Sequence, residues 1–556
     1  MLRLRECLYL PLAGRSARTG LVRARRVGAT MRSLIEMLLT RRGVVAFWLV
    51  YAVLFVLILW AVSPGRTLQD ALSAELLQNH LAGGYQLRNP PLYEWLLWGV
   101  QRIAGTGPLS YLVLRYALIA AIGILFFFAL RWTVADTRLA AAFSLSLLLF
   151  YWFGWDAHHS VSHTLALLAL TLACFIAALA YAEERCIARA LLLGLIIGAG
   201  LVAKWSFVLI LLSLGAALAL TPKARRLYAD PRTLLVPLAA ALPVLPFVLW
   251  LLDMHVGVLA GRMVPDGQTV PMARALQGML VFVVGIPIVF LPWIAFVLFY
   301  AWRNPRGPET PPMSEQDTIR IALLAAGIGV ALMAATLIAA TLAGTALFGI
   351  TRFAIHYLYP FCLLAALGIA GRVAARVEPE RFGWALTLTS LIAALAIFLL
   401  RLGSYYVVPL RSEATNLLPY QRLAETLERR GLGAAQFVTL SPREAGNLAI
   451  YLPEARALSL SARIEPPPPD TVRDRACVFL WGGEYSVPPA APPSPSPSPQ
   501  RLLKPLGLGA READAEDVEV EWRTPLIGAQ RRSLWHLLGG KDIEPICRAL
   551  AAKGMR

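Results

Sequence analysis

Long apolar runs, separated by short polar segments, occupy most of the chain between residues 43 and 402. An α-helix needs about 20 apolar residues to cross the hydrocarbon core of a bilayer, and most of these runs reach that length. The pattern predicts eleven membrane-spanning helices, near 43–62, 109–130, 139–154, 161–181, 188–202, 204–220, 233–252, 276–302, 321–347, 353–370 and 383–402. The third, fifth and tenth runs are short, so a pair of them can instead form one re-entrant element.

The composition agrees with an integral membrane protein. The 556 residues are 58% hydrophobic and only 15% charged, which leaves too little polar surface to coat a soluble protein of this size. A net charge of +18 would suggest a nucleic-acid partner in a soluble protein. Here the arginines cluster at the ends of apolar runs, where membrane insertion and anionic lipid headgroups favour them. We therefore expect contacts with membrane lipids and no nucleic acid.

The distribution of basic residues predicts the orientation in the membrane. Residues 1–42 hold ten arginines, and the apolar run that follows is too long for a cleavable signal peptide. Met31 is a second candidate for the start of translation. If residues 1–42 are cytoplasmic, the inside segments carry 24 lysines and arginines and the outside segments carry 6, which is the bias that sets topology. We expect a multi-pass inner-membrane protein with a cytoplasmic N-terminus and a C-terminal region on the outer side.

The chain divides into three parts by composition. Residues 1–42 form a basic cytoplasmic segment, residues 43–403 the membrane domain, and residues 404–556 a domain of soluble composition. In the last part the sequence predicts a strand at 436–440, a helix at 442–452 and strands at 455–460, 476–481 and 518–522, which is a small α/β or α+β unit. The proline-rich stretch at 488–500 cannot pair in a sheet, so we expect an extended loop or linker there.

Two of the six cysteines, Cys477 and Cys547, fall in the C-terminal domain. On the outer side of a bacterial inner membrane they would meet an oxidising environment. We therefore expect a disulfide between them. The sequence has no CxxC motif or cysteine and histidine cluster that indicates structural zinc.

The first outer loop, residues 63–108, is the longest polar interruption among the predicted spans. It predicts a helix that begins near Asp70 and ends at Gly83 or Gly84, and a second helix that Pro90 and Pro91 begin. Both helices are expected at the outer surface of the membrane. Asp70 has two interpretations that the spacing leaves open: a helix N-cap, because a carboxylate accepts the first free backbone N–H groups, or a catalytic base.

Three further segments bring polar groups to the same predicted depth. The segment WFGWDAHHSVSH (152–163) places four ionisable groups, Asp156, His158, His159 and His163, at an outer turn. Such groups are costly near a membrane unless they serve water, a ligand or each other. His159 and His163 are one helical turn apart, which suits a divalent metal, although an interfacial polar cap is the simpler interpretation.

The other two places with polar groups at this predicted depth are Lys204 and the segment TRFAIHYLYP (351–360). Lys204 is a lone cation at the outer end of a predicted span, where it can bind an anionic headgroup or extend to the surface without binding. Arg352 and His356 share one helix face at a spacing of four residues, which suits a phosphate clamp. Tyr357 and Tyr359 lie beside them.

The order of these motifs resembles a known family. DALSAELLQNHLAGGYQLRNPPLYEWL, WDAHHSVSHTLALL, GLVAKWSFVL and RFAIHYLYP, in this order, look like the GT-C glycosyltransferases that include protein O-mannosyltransferases and the lipid A aminoarabinose and galacturonic acid transferases. The resemblance covers about residues 43–375. It implies an all-α polytopic membrane fold of the GT-C type, and transfer of a sugar from a polyprenyl-phosphate donor to a lipid A, polysaccharide or protein acceptor on the periplasmic side.

The resemblance also implies roles for individual residues. Asp70 matches the first acid of the family's Asp-Glu motif and would be the base or orient the acceptor, Asp156 stands where the family often has a second acid, and Lys204 matches a lysine that holds the lipid phosphate. Donor phosphate is expected at Lys204, Arg352 and Arg88, and substrate contacts are expected at Tyr85, Asn89, His159, His163, His356 and Tyr357. The chain departs from the family at Ala71, which replaces the usual Glu, and at Asn89, where Lys or His is common. The metal requirement stays open.

Two interpretations from other classes remain. A lipid or sugar transporter would place ionisable groups in the middle of its spans and show repeated halves with interrupted helices, whereas here the polar groups gather at one surface. A non-catalytic membrane assembly protein would account for the C-terminal domain and for the missing Glu at position 71. The loss of transfer on an Asp70→Asn change separates the enzyme from both.

Overall fold

The chain forms a bundle of long apolar helices followed by a small sheet. The computed structural model describes residues 30–62, 81–86, 89–159, 162–253, 272–305, 313–342, 355–406, 419–440, 442–459, 475–485, 515–523 and 530–539. The sheet lies within the last five of these ranges together with two helices. This architecture confirms the predicted fold class of a polytopic helical membrane protein with a small C-terminal α/β unit.

The helices of the bundle follow the apolar runs of the sequence. They are α1 (Arg41–Val62), α2 (Leu92–Ala104), α3 (Pro108–Leu130), α4 (Thr137–Leu145), α5 (Ser162–Glu183), α6 (Ile187–Leu201), α7 (Phe207–Ala219), α8 (Leu235–Asp253), α9 (Met272–Arg303), α10 (Met313–Leu342), α11 (Tyr359–Ala374) and α12 (Pro379–Tyr406). Short 3₁₀ segments lie at Ser146–Leu149, Ala224–Ala229, Pro231–Leu234 and Ile355–Tyr357, and a π-helical turn followed by one α-turn lies at Trp152–Asp156 and Ala157–His159.

The predicted spans appear in the predicted order, but their lengths differ. Within the described residues, seven helices are long and apolar enough to cross a membrane. Four shorter apolar helices, Thr137–Leu149, Ile187–Leu201, Phe207–Ala219 and Tyr359–Ala374, occupy the other predicted positions. Three of these four are the runs that were short in the sequence. The multi-pass character is therefore confirmed, and the count of eleven spans stays a prediction.

Buried tryptophans with polar partners fix the centre of the bundle. Trp48 of α1 is fully buried, and its indole N–H donates to Ser144 Oγ over 3.0 Å. Gly123 of α3 makes room for this ring, since a Cβ there would lie 2.2 Å from the indole. Trp293 of α9 donates to Ser146 Oγ over 2.8 Å and stacks on Phe150. Buried polar groups cost free energy unless they are hydrogen-bonded, so these pairs fix the register of the helices.

The C-terminal unit is a five-stranded sheet with two helices. Its elements are α13 (Tyr420–Arg429), β1 (Gln436–Thr439), α14 (Pro442–Tyr451), β2 (Arg456–Ser459), β3 (Cys477–Tyr485), β4 (Glu516–Arg523) and β5 (Gln530–Gly539). The strand order is β2-β1-β3-β5-β4, with parallel pairing of β1 to β2 and β3 and antiparallel pairing of β5 to β3 and β4. The four predicted strands and the predicted helix are present. Strand β5 was not predicted from the sequence, and the division of the chain at residue 404 stays a prediction.

Cys477 is disulfide-bonded. Its predicted partner, Cys547, lies outside the described residues, so the pairing stays a prediction. The described cysteines of the membrane helices, Cys174 and Cys362, are buried and free, and Cys186 is also free.

The end of α14 contacts the membrane domain. Ile450 belongs to one buried apolar cluster with Tyr85, Tyr93, Leu97 and, in α3, Tyr111. The C-terminal unit is therefore seated on α2 and on the segment that precedes it, next to the predicted site.

Candidate functional site

The π turn at Trp152–Asp156 carries the predicted acid Asp156 as its last residue. Two residues later, His158 is buried and both of its ring nitrogens have tyrosine partners. Tyr51 Oη lies 3.0 Å from Nε2, and Tyr116 Oη lies 3.0 Å from Nδ1. Arg115 donates to the His158 carbonyl oxygen over 2.8 Å. His158 thus anchors the turn to α1 and α3, and π turns of this kind are frequent at functional sites.

Asp156 receives a hydrogen bond from α11. Tyr359 Oη donates to Asp156 Oδ2 over 2.8 Å, and the Tyr359 ring stacks on Trp152 with 4.7 Å between ring centroids. Burial raises the pKa of Asp156 above its ordinary value, and the hydrogen bond from Tyr359 acts in the opposite direction. A half-buried carboxylate of this kind can accept a proton from a substrate hydroxyl.

Lys204 lies in the short turn between α6 and α7. Its ammonium group donates to Thr164 Oγ1 over 2.9 Å and lies 4.9 Å from the centre of the Tyr357 ring. The Thr164 hydroxyl holds the ammonium group by a hydrogen bond, and the Tyr357 ring holds it by a cation–π contact. The contact between Lys204 and Tyr357 brings together two predicted site residues, 153 positions apart in the numbering of the chain.

His356 connects the carboxylate to the cation. The centroids of the His356 and Tyr359 rings are 5.3 Å apart. Burial and, to a smaller extent, the charge of Lys204 lower the pKa of His356 to about 4. The imidazole is therefore neutral at physiological pH, when it can donate or accept a hydrogen bond but adds no charge. Asp156, Tyr359, His356 and Lys204 form a connected set from an anionic to a cationic group.

A second buried pair fixes α2 to the start of α5. The side chain of Glu94 is 1% exposed, and its Oε1 lies 3.2 Å from His163 Nε2. The Tyr93 ring lies 5.1 Å from that of His163. The backbone N–H of Leu92 donates to the carbonyl oxygen of Val202 over 2.9 Å, two residues before Lys204. Helix α2, the start of α5 and the Lys204 turn are thus linked directly.

The segment at residues 81–86 connects the first outer loop to this wall. The Ala82 N–H donates to Tyr85 Oη over 3.0 Å, and the Trp95 indole donates to the Ala82 carbonyl over 2.8 Å. Gly83 and Gly84 lie against α8. A Cβ at Gly84 would be 2.4 Å from the Trp250 ring, so only glycine permits this approach. The chain that leads away from Asp70 is therefore held close to the site.

The described residues include part of the predicted site. Asp156, Lys204, His163, His356 and Tyr357 lie in the linked wall. Tyr85 is buried in the apolar cluster with Ile450, and Asn89 lies in the turn before Pro90. Asp70, Arg88 and Arg352 lie outside the described residues, as does the side chain of His159. The assigned roles of all these residues stay predictions.

Three residues that hold this wall together had no role predicted from the sequence: Glu94, Thr164 and Trp152. Glu94 had a detectable signal, because a carboxylate among the apolar and aromatic residues of the first turn needs a buried partner or an exposed face. Thr164 and Trp152 carried no such signal, since hydroxyls and aromatic rings are common in membrane helices.

Among the described residues, no three His, Cys, Asp or Glu side chains lie close enough together to hold a metal ion. The partner of His163 is Glu94. The metal requirement stays open, because the His159 side chain lies outside the described residues.

Comparisons with known proteins were consistent with the motifs. No protein-family profile matches the chain. The lipopolysaccharide core galacturonosyltransferase RgtA of Rhizobium johnstonii is 30% identical over 207 residues, and RgtB of the same organism is 29% identical over 206 residues. Each match covers 36% of this chain and 41% of the relative, so the chain spans less than half the length of the curated relatives that it matches.

A solved structure resembles nearly the whole chain. The crystal structure of ArnT from Cupriavidus metallidurans in the apo state has a TM-score of 0.52 and 14% identity, and the match covers 88% of this chain and 98% of that one. This likeness shows the fold. Together with the curated relatives it confirms the predicted resemblance to the GT-C glycosyltransferases.

Proposed function

We propose that the chain is a membrane glycosyltransferase that moves a sugar from a polyprenyl-phosphate donor to an acceptor hydroxyl at the periplasmic face of the inner membrane. The observation that carries this proposal is the connected set of Asp156, Tyr359, His356 and Lys204 at one end of a GT-C bundle. It offers a carboxylate for the hydroxyl and a cation for the phosphate. Such a pair suits transfer from a phosphodiester better than transport, for which polar groups in the middle of the spans would be needed.

The reaction needs a carboxylate at the nucleophile and a cation at the leaving group. The acceptor oxygen forms a bond with the anomeric carbon while the bond from that carbon to the phosphate oxygen breaks, and the hydroxyl proton passes to a carboxylate. Asp70 is proposed as this base or as the group that orients the acceptor, with Asp156 as the second acid. The leaving polyprenyl phosphate keeps the electron pair, and Lys204, with Arg352 and Arg88, stabilises its negative charge.

The neutral state of His356 suits a place between these charges. A cation there would compete with Lys204 for the phosphate and would pair with Asp156. A neutral imidazole instead can hydrogen-bond a sugar hydroxyl, as can Tyr357 beside it. In this arrangement we propose that Asp156 accepts the proton and that Lys204 binds the phosphate.

The names of the curated relatives support a choice of sugar and acceptor. RgtA and RgtB are named as galacturonosyltransferases of the lipopolysaccharide core. We therefore take galacturonic acid as the first sugar to test and a lipopolysaccharide core or lipid A glycolipid as the first acceptor, ahead of a polysaccharide or a protein. A bilayer-embedded donor and acceptor both suit a site at the end of the bundle.

The orientation follows from the positive-inside bias and has its own test. The N-terminus is placed in the cytoplasm and the C-terminal domain in the periplasm. A reporter fused after Trp302 should be active only in the cytoplasm, and one fused after Arg411 only in the periplasm. A cytoplasmic signal from the second fusion would contradict the eleven-span arrangement and the predicted disulfide with it.

The function is tested by deleting the gene and profiling lipid A, core oligosaccharide and polysaccharide by mass spectrometry. The deletion strain is expected to lose one sugar from one of these glycans. The wild-type gene should restore the sugar, and genes for Asp70→Asn or Asp156→Asn, expressed at the same protein level, should not. Unchanged glycans in the deletion strain, or full restoration by both variants, would contradict the proposal.

A further inference from the structure

Tyr359 is the member of the connected set to which the proposed reaction gives no role. It is the first residue of α11, and its hydroxyl donates to Asp156 Oδ2 over 2.8 Å. Its ring stacks on Trp152 at an angle of 15° between the planes. Trp152 and Asp156 are the first and last residues of the same π turn. One tyrosine therefore contacts both ends of the turn that carries the acid.

We propose that Tyr359 is a positioning residue that holds the Asp156 carboxylate in one rotamer and in its ionised form, with Oδ1 directed to the acceptor hydroxyl. The inference rests on the proposed function, in which Asp156 belongs to the transfer site. Tyr359 occupies Oδ2, and among the described residues no side chain or backbone group donates to Oδ1. Oδ1 is thus the oxygen that can take the substrate proton.

The backbone under Asp156 is already fixed, so the side-chain rotamer is the freedom that remains. His158 is held between Tyr51 and Tyr116 on the other side of the turn. Gly154 lies close to α12, where a Cβ would be 3.0 Å from Ile397 Cδ1 and 2.8 Å from the Leu148 carbonyl oxygen. A carboxylate on a rigid turn still rotates about two bonds. A single hydrogen bond to Oδ2 removes that rotation at the point where orientation decides the rate.

The groups that face Asp156 give the hydrogen bond an electrostatic effect as well. Tyr151 on its own segment and Tyr359 on α11 interact with Asp156 directly, and Cys362 of α11 acts on Tyr359. The His356 ring lies beside the Tyr359 ring. Burial raises the pKa of Asp156, and the bond from Tyr359 is the contact that lowers it. Without this bond the carboxyl group would hold its proton to a higher pH and would be a weaker acceptor at low pH.

The test is the pH dependence of kcat for full-length protein in nanodiscs, with polyprenyl-phosphate-linked galacturonic acid and a lipopolysaccharide core acceptor. Tyr359→Phe keeps the ring on Trp152 and removes the hydroxyl. We expect kcat to fall about tenfold and the acid limb of the profile to move up by about one pH unit, since a hydrogen bond to a charged group is worth roughly one to two pKa units. Tyr151→Phe is the matched control, because this half-exposed hydroxyl is near Asp156 and its removal should leave the acid limb in place.

A second variant gives a shift of opposite sign. Replacing the Tyr359 side chain by 3-fluorotyrosine makes the hydroxyl a stronger donor with little change of shape, and the acid limb should then move to lower pH. This variant also keeps the test open if Tyr359→Phe does not accumulate in the membrane.

The outcomes separate the two proposals. If Asp156→Asn loses transfer while Tyr359→Phe and the fluorinated variant keep the wild-type profile, the positioning role is wrong and the proposed function stands. If Asp156→Asn keeps the wild-type kcat, Asp156 takes no part in the reaction. The positioning role of Tyr359 and the role proposed for Asp156 in transfer are then both wrong. Opposite shifts in the two tyrosine variants, with Tyr151→Phe unchanged, support the inference.

Discussion

The Glu94 carboxylate of α2 lies 3.2 Å from His163 Nε2 of α5, and the two side chains are 1% and 11% exposed. This pair joins the helix that follows the first outer loop to the helix that follows Asp156. This contact between an acid and an imidazole is one of the links between the two walls of the proposed site. His163 is also predicted to contact the substrate, whereas Glu94 has no predicted contact with it.

Truncation of the Glu94 side chain should destabilise the protein more than its replacement by glutamine, which has the same shape without the charge. Removing one partner of a buried pair typically costs about 3–5 kcal/mol of folding free energy, because the other partner stays buried without it. Glu94→Ala is expected to lower the thermal unfolding midpoint in detergent, and Glu94→Gln to lower it by less. A Glu94→Ala, His163→Ala double variant should lose less than the sum of the single changes. Additive losses would show that the two residues are not coupled.

Lys204 should bind the donor phosphate through its charge. An ammonium beside a phosphate in a low-dielectric site contributes on the order of a few kcal/mol, and about 1.4 kcal/mol is a factor of ten in affinity. Lys204→Gln should weaken polyprenyl-phosphate donor binding by about tenfold or more, and Lys204→Arg should keep part of the affinity. The matched control is Lys223→Gln, because Lys223 is 63% exposed and pairs with Asp317 elsewhere. Equal affinity of wild type and Lys204→Gln would defeat the assignment.

The stability of the protein should fall in mild acid because of His356. Burial and Lys204 lower the pKa of this imidazole to about 4, whereas an unfolded histidine has a pKa of about 6.5. Between these values the unfolded state binds more protons than the folded state, so the free energy of unfolding decreases as the pH falls from about 6.5 to about 4. His356→Gln should reduce this decrease by roughly 1–3 kcal/mol. Unfolding midpoints at pH 7.5 and pH 5 measure the decrease in stability. The same decrease in wild type and His356→Gln would exclude His356 as its cause.

The contact at Ile450 should hold the first outer loop in place. This side chain is 4% exposed and packs among Tyr85, Tyr93 and Leu97. Ile450→Ala removes apolar contacts worth about 2–4 kcal/mol at that point. Amide hydrogen exchange should become faster at residues 81–86. Leu480→Ala, inside the core of the C-terminal unit, is the matched control and should not change exchange there. No difference between the two variants would mean that the contact does not restrain the loop.

Much of the fold follows from the sequence because apolar runs have a physical length requirement. Strand β5 (QRRSLWHLLG) was not predicted, since its polar first half and apolar second half match neither an alternating nor a continuous apolar pattern. It is nevertheless the strand between β3 and β4. Its tertiary partners, and not its own pattern, determine its structure.

The candidate site could be predicted only in part. The motifs indicated Asp156, Lys204 and His356 because charged groups are rare beside membrane spans. The contact of Tyr359 with Asp156 joins residues 203 positions apart, and no local pattern predicts such a pair. The π turn likewise arises from the packing of Trp152 and His158 against other helices. Asp70 and Arg352 lie outside the described residues, so their roles rest on the resemblance alone.

The proposed transfer reaction is tested most directly by single-turnover transfer with purified protein in nanodiscs. Polyprenyl-phosphate-linked galacturonic acid and a lipopolysaccharide core acceptor are supplied without nucleotide sugar, and both the glycosylated acceptor and the free polyprenyl phosphate are quantified by mass spectrometry. We expect the two products in equal amounts from the wild-type protein and no product from Asp70→Asn. Transfer only when a nucleotide sugar is added, or the same amount of product from wild type and Asp70→Asn, would contradict it.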